Sequence, residues 1–407
     1  MKKTMLAASL ICGVFLMAQS AFAYDYLWNG AAHTNSLVTK SKLNVDAYLP
    51  WSSGGSAKAM GMGGAFTAVA NDLGGAVEYN PAGLTQLEHV NISALAISRR
   101  STGLNAAGKK TSEWDSVLTQ AGAAIRLGPL AFAVSRKQPE NASTYMTFGR
   151  AQHNIYAPDG WTMGYTTYGD MLDTDKLKTT VLTGAIKLGK LSLGANYNSI
   201  KGDITRLQYG VNANNPGAAN NYFHGLEKVT FDGYTMDAGA LMNMGAFRLG
   251  AAAKNFKGSV DLKRNIVWQD NFDVGGGNTW NWVSPTMSET VTKFAPTTTV
   301  GAALILGKVF TVGADYVSIK LVDSKKTQAR LGAELAVVPG FLFARGGVKR
   351  DLKNKIDNQD NKVDEYFIGA GLKMLVLTVD ASASLASAKA GSSGDNMTAG
   401  VSATLKF

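Results

Sequence analysis

Between Thr180 and Ile200 apolar and polar residues alternate with a period of two, and the alternation resumes after a two-residue link. Leu182, Ile186 and Leu188 fall on one face against Thr183, Ala185 and Lys187. Beyond Gly189-Lys190, Leu191, Leu193, Ala195 and Tyr197 fall opposite Ser192, Gly194, Asn196 and Asn198. Successive side chains of a strand point to opposite faces, so this is a hairpin with one oily face and one small or polar face. In a soluble sandwich the oily face turns to a core. In a membrane barrel it turns to lipid, and the Gly, Ser, Asn and Thr face lines the lumen.

The unit recurs. Short turns are expected at Gly128-Pro129, Gly189-Lys190, Gly245, Gly307-Lys308, Pro339-Gly340 and near Lys373-Leu375. Long polar connections are expected at about 100–113, 137–175, 201–228, 257–290, 321–326, 351–362 and 388–395. Short and long links alternate strictly, as periplasmic turns and outer loops do in outer-membrane barrels. Counting gives an all-β, transmembrane antiparallel barrel of about fourteen strands over 89–407. Its last strand is the cleanest: Met397, Ala399, Val401, Ala403, Leu405 and Phe407 share one face. A terminal aromatic after such alternation resembles the signal by which outer-membrane barrels are recognised, so Phe407 is the expected contact for the barrel-assembly machinery.

Residues 1–23 read as a secretory signal peptide: Lys2 and Lys3, an apolar run from Met5 to Met17, then Ala21-Phe22-Ala23. The one cysteine, Cys12, lies inside it, so the mature chain is expected to carry no thiol, which excludes disulfides and cysteine nucleophiles. His33, His89, His153 and His224 are too scattered for a metal-ligand spacing, and no G-x-S-x-G elbow or phosphate loop is present. No enzyme activity, metal or cofactor is expected. The basic balance, pI about 9.4, points to anionic lipopolysaccharide and outer-membrane lipid as partners and not to nucleic acid, although solvated loop charge explains most of it.

A barrel this wide leaves a lumen that side chains cannot fill. The filling is expected from 24–88, an N-terminal extension followed by a Gly- and Ala-rich stretch from Gly54 to Leu87 whose small residues permit close packing against walls. Met60-Gly61-Met62-Gly63-Gly64-Ala65-Phe66, Ala70-Asn71-Asp72 and Tyr79-Asn80-Pro81-Ala82-Gly83-Leu84 resemble, in order and spacing, the N-terminal hatch of FadL-type outer-membrane transporters and their PorV-like relatives. The resemblance covers about thirty residues of the chain. It implies a hatch-gated barrel in a Gram-negative-type outer membrane that takes up hydrophobic small molecules such as long-chain fatty acids or hydrocarbons. Phe66, Asn80, Pro81, Ala82, Gly83 and Leu84 become the gate residues.

By loop position only, the same resemblance assigns an outer substrate groove to two connections. These hold Tyr222 and Phe223 in one, and Trp268, Phe272, Trp280 and Trp282 in the other. Packing into a lid or an interfacial aromatic girdle is the competing reading. Pro139, after the third strand signal, marks either the lateral opening that the family has at that strand or the start of an outer loop. A second function stays open: a PorV-like protein that binds or shuttles secreted protein cargo.

Overall fold

The computed structural model describes residues 54–104, 110–138, 143–146, 151–156, 162–173, 177–212, 222–272, 278–283, 287–291, 295–307, 309–320, 325–353, 355–356, 359–360, 363–388 and 396–407. The expected signal peptide, the extension before Gly54 and Pro139 lie outside them. Among the described residues no helix is long and apolar enough to cross a membrane.

Fourteen antiparallel strands form a closed barrel. They are β1 (Val90–Leu104), β2 (Lys110–Leu127), β3 (Leu130–Lys137), β4 (Lys178–Leu188), β5 (Leu191–Asn212), β6 (Tyr222–Met244) and β7 (Phe247–Phe272). The round continues with β8 (Thr297–Leu306), β9 (Phe310–Lys320), β10 (Lys325–Val338), β11 (Leu342–Lys353), β12 (Val363–Met374), β13 (Leu377–Ala388) and β14 (Asn396–Lys406). Each pairs with the next, and β14 returns to β1 from Asn91↔Lys406 to Arg100↔Met397. Phe407 N donates to Val90 O at 2.9 Å and Val90 N to Phe407 O at 3.0 Å, so the terminal residue helps to seal the seam.

The expected faces hold. Leu182, Leu188, Leu193 and Tyr197 are exposed, whereas Thr183, Ser192, Asn196 and Asn198 are buried. An exposed apolar face on a closed barrel is a lipid-facing one. The tight turn between β4 and β5 places Gly189 at φ 63°, with open space around the position a Cβ would take.

Of the expected loops, two are corrected furthest. The connections read at 201–228 and 257–290 are largely strand: β5, β6 and β7 run to 22, 23 and 26 residues. About ten residues suffice to cross a bilayer, so these strands rise far above it as one continuous ladder. The cause is local: β-branched residues such as Ile204, Val211, Val260 and Ile266 sustain pairing where polar neighbours hide the period. The stretch between the expected loop at 257–290 and the turn at Gly307 likewise is not one strand: Met287–Val291 pairs with β7, and β8 follows separately.

β3 differs in the opposite sense, with only 8 residues. Its pairing with β2 ends at Gln120↔Lys137, capped by Gln138 N donating to Thr119 O at 2.9 Å. Among the described residues, β2 from Lys110 to Leu118 has register partners in β1 alone. On the far side of β3, a strand of the long connection, Thr162–Asp173, pairs with the outer part of β5.

Candidate functional site

Residues 54–87 fill the lumen. Ser56 caps α1 (Ala57–Gly61), its side chain accepting from Ala59 N, and Asp72 caps α2 (Leu73–Tyr79), accepting from Gly75 N at 2.6 Å. Ser56 Oγ also donates to Asp72 Oδ2 at 2.9 Å, tying the two helix starts together. Asn80 then starts a 3-10 helix, Pro81–Gln86. Its Oδ1 accepts from Ala82 N at 3.1 Å, and its Nδ2 donates at 2.9 Å both to Thr67 O within the plug and to Ala240 O in the β6 wall. An Asn-Pro pair thus does three things here: it caps, braces and anchors.

The wall meets this segment with glycines in register. Gly313, Gly332 and Gly347 lie side by side across β9, β10 and β11. A Cβ on Gly332 would stand 2.1 Å from Met62 O, and one on Gly347 would stand 2.4 Å from Gly63 N. They form a flat shelf on which the Met62–Ala65 backbone rests, too close for any side chain. A second shelf, Gly194 beside Gly239 on β5 and β6, seats Asn80-Pro81 in the same way. The small inward residues read from the alternation are therefore a fitted seat for the plug.

Phe66 is fully buried, edge-on to Tyr79 with ring centroids 5.9 Å apart. Pro81, Ala82, Gly83 and Leu84 are also buried, so the six expected gate residues converge inside the plug. Polar bonds fix it further. Asp315 Oδ2 on β9 accepts from Phe66 N, Thr67 N and Thr67 Oγ1 at 2.8 to 3.0 Å. Lys58 on α1 pairs with Glu334 at 2.9 Å, Glu334 with Arg345 at 2.7 Å, and Arg345 with Asp380 at 2.8 Å.

Glu78 was invisible as a site residue in the sequence. On α2, it pairs with Lys137 at the end of the short β3 (3.2 Å) and with Lys254 on β7 (2.5 Å). Burial opposes its ionisation, but Lys137 and then Lys254 outweigh that and hold the carboxyl down at about 2. Two cations near strand ends are not solvated loop charge: Lys137 faces the plug, and Arg330 Nη1 donates to Gly64 O at 3.4 Å.

Above the plug the inward side turns oily. Ile200, Val229, Phe231, Val260 and Leu262 are each at most 2% exposed, on the outer parts of β5, β6 and β7. Inward parity is set lower down by Gly239 and by Asp237, which accepts from Asn196 and Asn198 of β5. The β6–β7 register has one irregularity, between Ala253 and Lys257, and then runs unbroken to Asn271↔Tyr222. That register gives Trp268, Asp270 and Phe272 the parity of Val260 and Leu262. Trp282 stands opposite Trp268, and Trp280 and Phe223 flank Asp270. Five of the six expected groove residues thus fall at positions of one face; Tyr222 takes the opposite parity.

No family model and no curated protein sequence matches this chain. Solved structures match over most of it. The toluene transporter TbuX of Ralstonia pickettii aligns at TM-score 0.59 and 15% identity, covering 86% of this chain and 98% of that one. The Pseudomonas putida toluene transporter TodX aligns at 0.59 and 14%, and a Pseudomonas aeruginosa FadL homologue at 0.55 and 13%, each with the same coverages. The chain has the FadL-type transporter fold. At these identities the likeness is one of architecture. TbuX and TodX are named as toluene transporters, and a closed barrel of this fold with an outward apolar band is built to sit in a membrane.

Proposed function

We propose that this protein takes up hydrophobic small molecules, hydrocarbons or long-chain fatty acids, across the outer membrane through a hatch-gated barrel. The observation that carries the reading is the oily inward row of Ile200, Val229, Phe231, Val260 and Leu262 above the plug, where an aqueous pore would be lined by polar groups. Burial there gains an apolar permeant about 25 cal/mol per Å² removed from water. Trp268, Phe272, Trp280, Trp282 and Phe223 extend the row outward by register and serve as the first collecting surface. The fold it shares with two toluene transporters supports the same substrate class.

From this row the permeant reaches Phe66 and the Asn80–Leu84 gate, whose local movement admits it. Among the described residues the β2–β3 pairing ends at Gln120↔Lys137, which offers a sideways path into the bilayer, for which Pro139 is the candidate residue. Basic outer residues such as Arg350 and Lys353 meet lipopolysaccharide, and Phe407 serves barrel assembly.

The test is toluene binding to the detergent-purified protein, measured by native mass spectrometry and by quenching of tryptophan fluorescence. Phe231→Asn together with Leu262→Asn should weaken binding at least tenfold, with barrel assembly verified by heat-modifiable gel migration. Unchanged affinity in an assembled barrel would overturn the reading.

A further inference from the structure

Beneath the plug, at the end of the barrel that carries the short turns, lies a cavity of about 370 Å³. It is unlike the oily row at the other end. Asn71 and the stretch from Thr85 to Glu88 form its plug side, and five cations converge from the wall: Arg126 of β2, Lys187 of β4, Lys190 of the β4–β5 turn, Arg248 of β7 and Lys406 of β14. The only carboxylate on the lining is Glu88, and among the described residues none of the five cations is within ion-pair distance of an acid. Like charges gathered around a concave space repel one another and focus a positive potential inside it. An anion relieves that repulsion.

The two arginines are presented for it. Arg126 Nη1 donates to Thr85 O at 3.2 Å, and Arg248 Nη1 donates to Gln86 Oε1, so plug atoms orient both guanidinium planes. The Nε of each is buried with no partner. A guanidinium fork held by one nitrogen with others unused matches the paired oxygens of a carboxylate or phosphate. Lys187 and Lys190 stand exposed at the mouth as point charges.

We propose that this cavity is a binding site for a small oxyanion, a carboxylate or a phosphate, on the periplasmic side of the plug. It needs no hydrocarbon and stands apart from the uptake reading. Two sources share the chemistry: the acid end of a permeating amphiphile, or a free phosphate compound of the periplasm.

The experiment is isothermal titration of the detergent-purified full chain with sodium acetate, hexanoate, inorganic phosphate and chloride at constant ionic strength. Saturable binding of a carboxylate or phosphate that chloride does not reproduce is expected. It should weaken at least tenfold in Lys187→Gln/Lys190→Gln, two exposed positions whose change leaves the plug's bonds intact. Affinity that rises from acetate to hexanoate assigns the site to a permeating acid, and a preference for phosphate assigns it to a free phosphate. A non-saturable response equal to that of chloride, or undiminished affinity in the double variant, overturns the site. Toluene binding by the same variant reads the other end of the barrel and separates this failure from failure of the uptake reading.

Discussion

Glu78 sits on a seven-residue helix of otherwise apolar or aromatic residues, buried and ionised between two lysines from distant strands. Removing one partner of a buried ion pair costs about 3–5 kcal/mol, because it strands the other charge. Glu78→Gln strands two. We therefore expect the variant to assemble its barrel normally but to lose hydrogen-exchange protection at Leu73–Tyr79; equal protection in both proteins would reduce the pair to an accessory contact. The pH dependence has a definite sign. The folded-state value, about 2, lies below the ordinary 4.5, so the stabilisation is complete above about 4.5 and is lost as the pH falls through about 2. Protection of α2, corrected for intrinsic exchange rates, should hold at pH 5 and drop near pH 2 in the parent, and should lack that step in Glu78→Gln. The sequence carried the plug motif around this residue, but nothing in it joins Glu78 to Lys137 or Lys254. Those pairs exist only after the barrel closes.

At the scale of elements, the strands were legible and their reach was not. Alternation gave all fourteen staves because a lipid-facing row enforces it residue by residue, as at Leu182, Ile186 and Leu188. Above the membrane that pressure ends, and Lys201–Asn212 or Asp261–Phe272 read as polar loop although both are paired strand. Val260 and Leu262 of the inward row lie in such a stretch, Val229 and Phe231 only at the edge of one, and the tryptophans beyond stand out by their type alone. The glycine shelves were half legible: a small inward face was evident, its fit to the plug was not. The shelf across β9, β10 and β11 gives a direct test. Gly332→Val places a residue favoured in strands at a position whose backbone accepts it, so the barrel should form, but its Cβ collides with Met62 O. The plug should then seat imperfectly, and conductance in planar bilayers should rise about tenfold or more over the parent. Conductance at the parental level would show that the plug adjusts without opening a path.

For the whole molecule, the question is which part of the plug yields. At the α1 end the plug joins the wall through buried charges, Lys58 to Glu334 and onward to Arg345 and Asp380, and freeing it would strand several of them at once. Among the described residues the 3-10 end makes no ion pair with the wall: Arg126 and Arg248 donate to the neutral oxygens Thr85 O and Gln86 Oε1, and the other bonds are single neutral ones, among them Asn80 Nδ2 to Ala240 O and Thr85 Oγ1 to Ser192 Oγ at 2.8 Å. Each such bond contributes only about 1 kcal/mol net. Under the proposed hatch gating, the plug is therefore expected to open at Asn80–Gln86 while α1 stays docked. Thr85 and Ser192 touch through their side-chain ends, a separation that a disulfide spans with modest adjustment, and the single native cysteine, Cys12, lies in the expected signal peptide. Thr85→Cys/Ser192→Cys should thus form one defined crosslink that pins the 3-10 helix to β5. Oxidised, the variant should lose toluene uptake in reconstituted vesicles while still binding toluene at the outer row; reduction should restore uptake. Full uptake by the oxidised protein would mean that the permeant bypasses the 3-10 helix, leaving sideways beyond the end of β3 before it meets the gate.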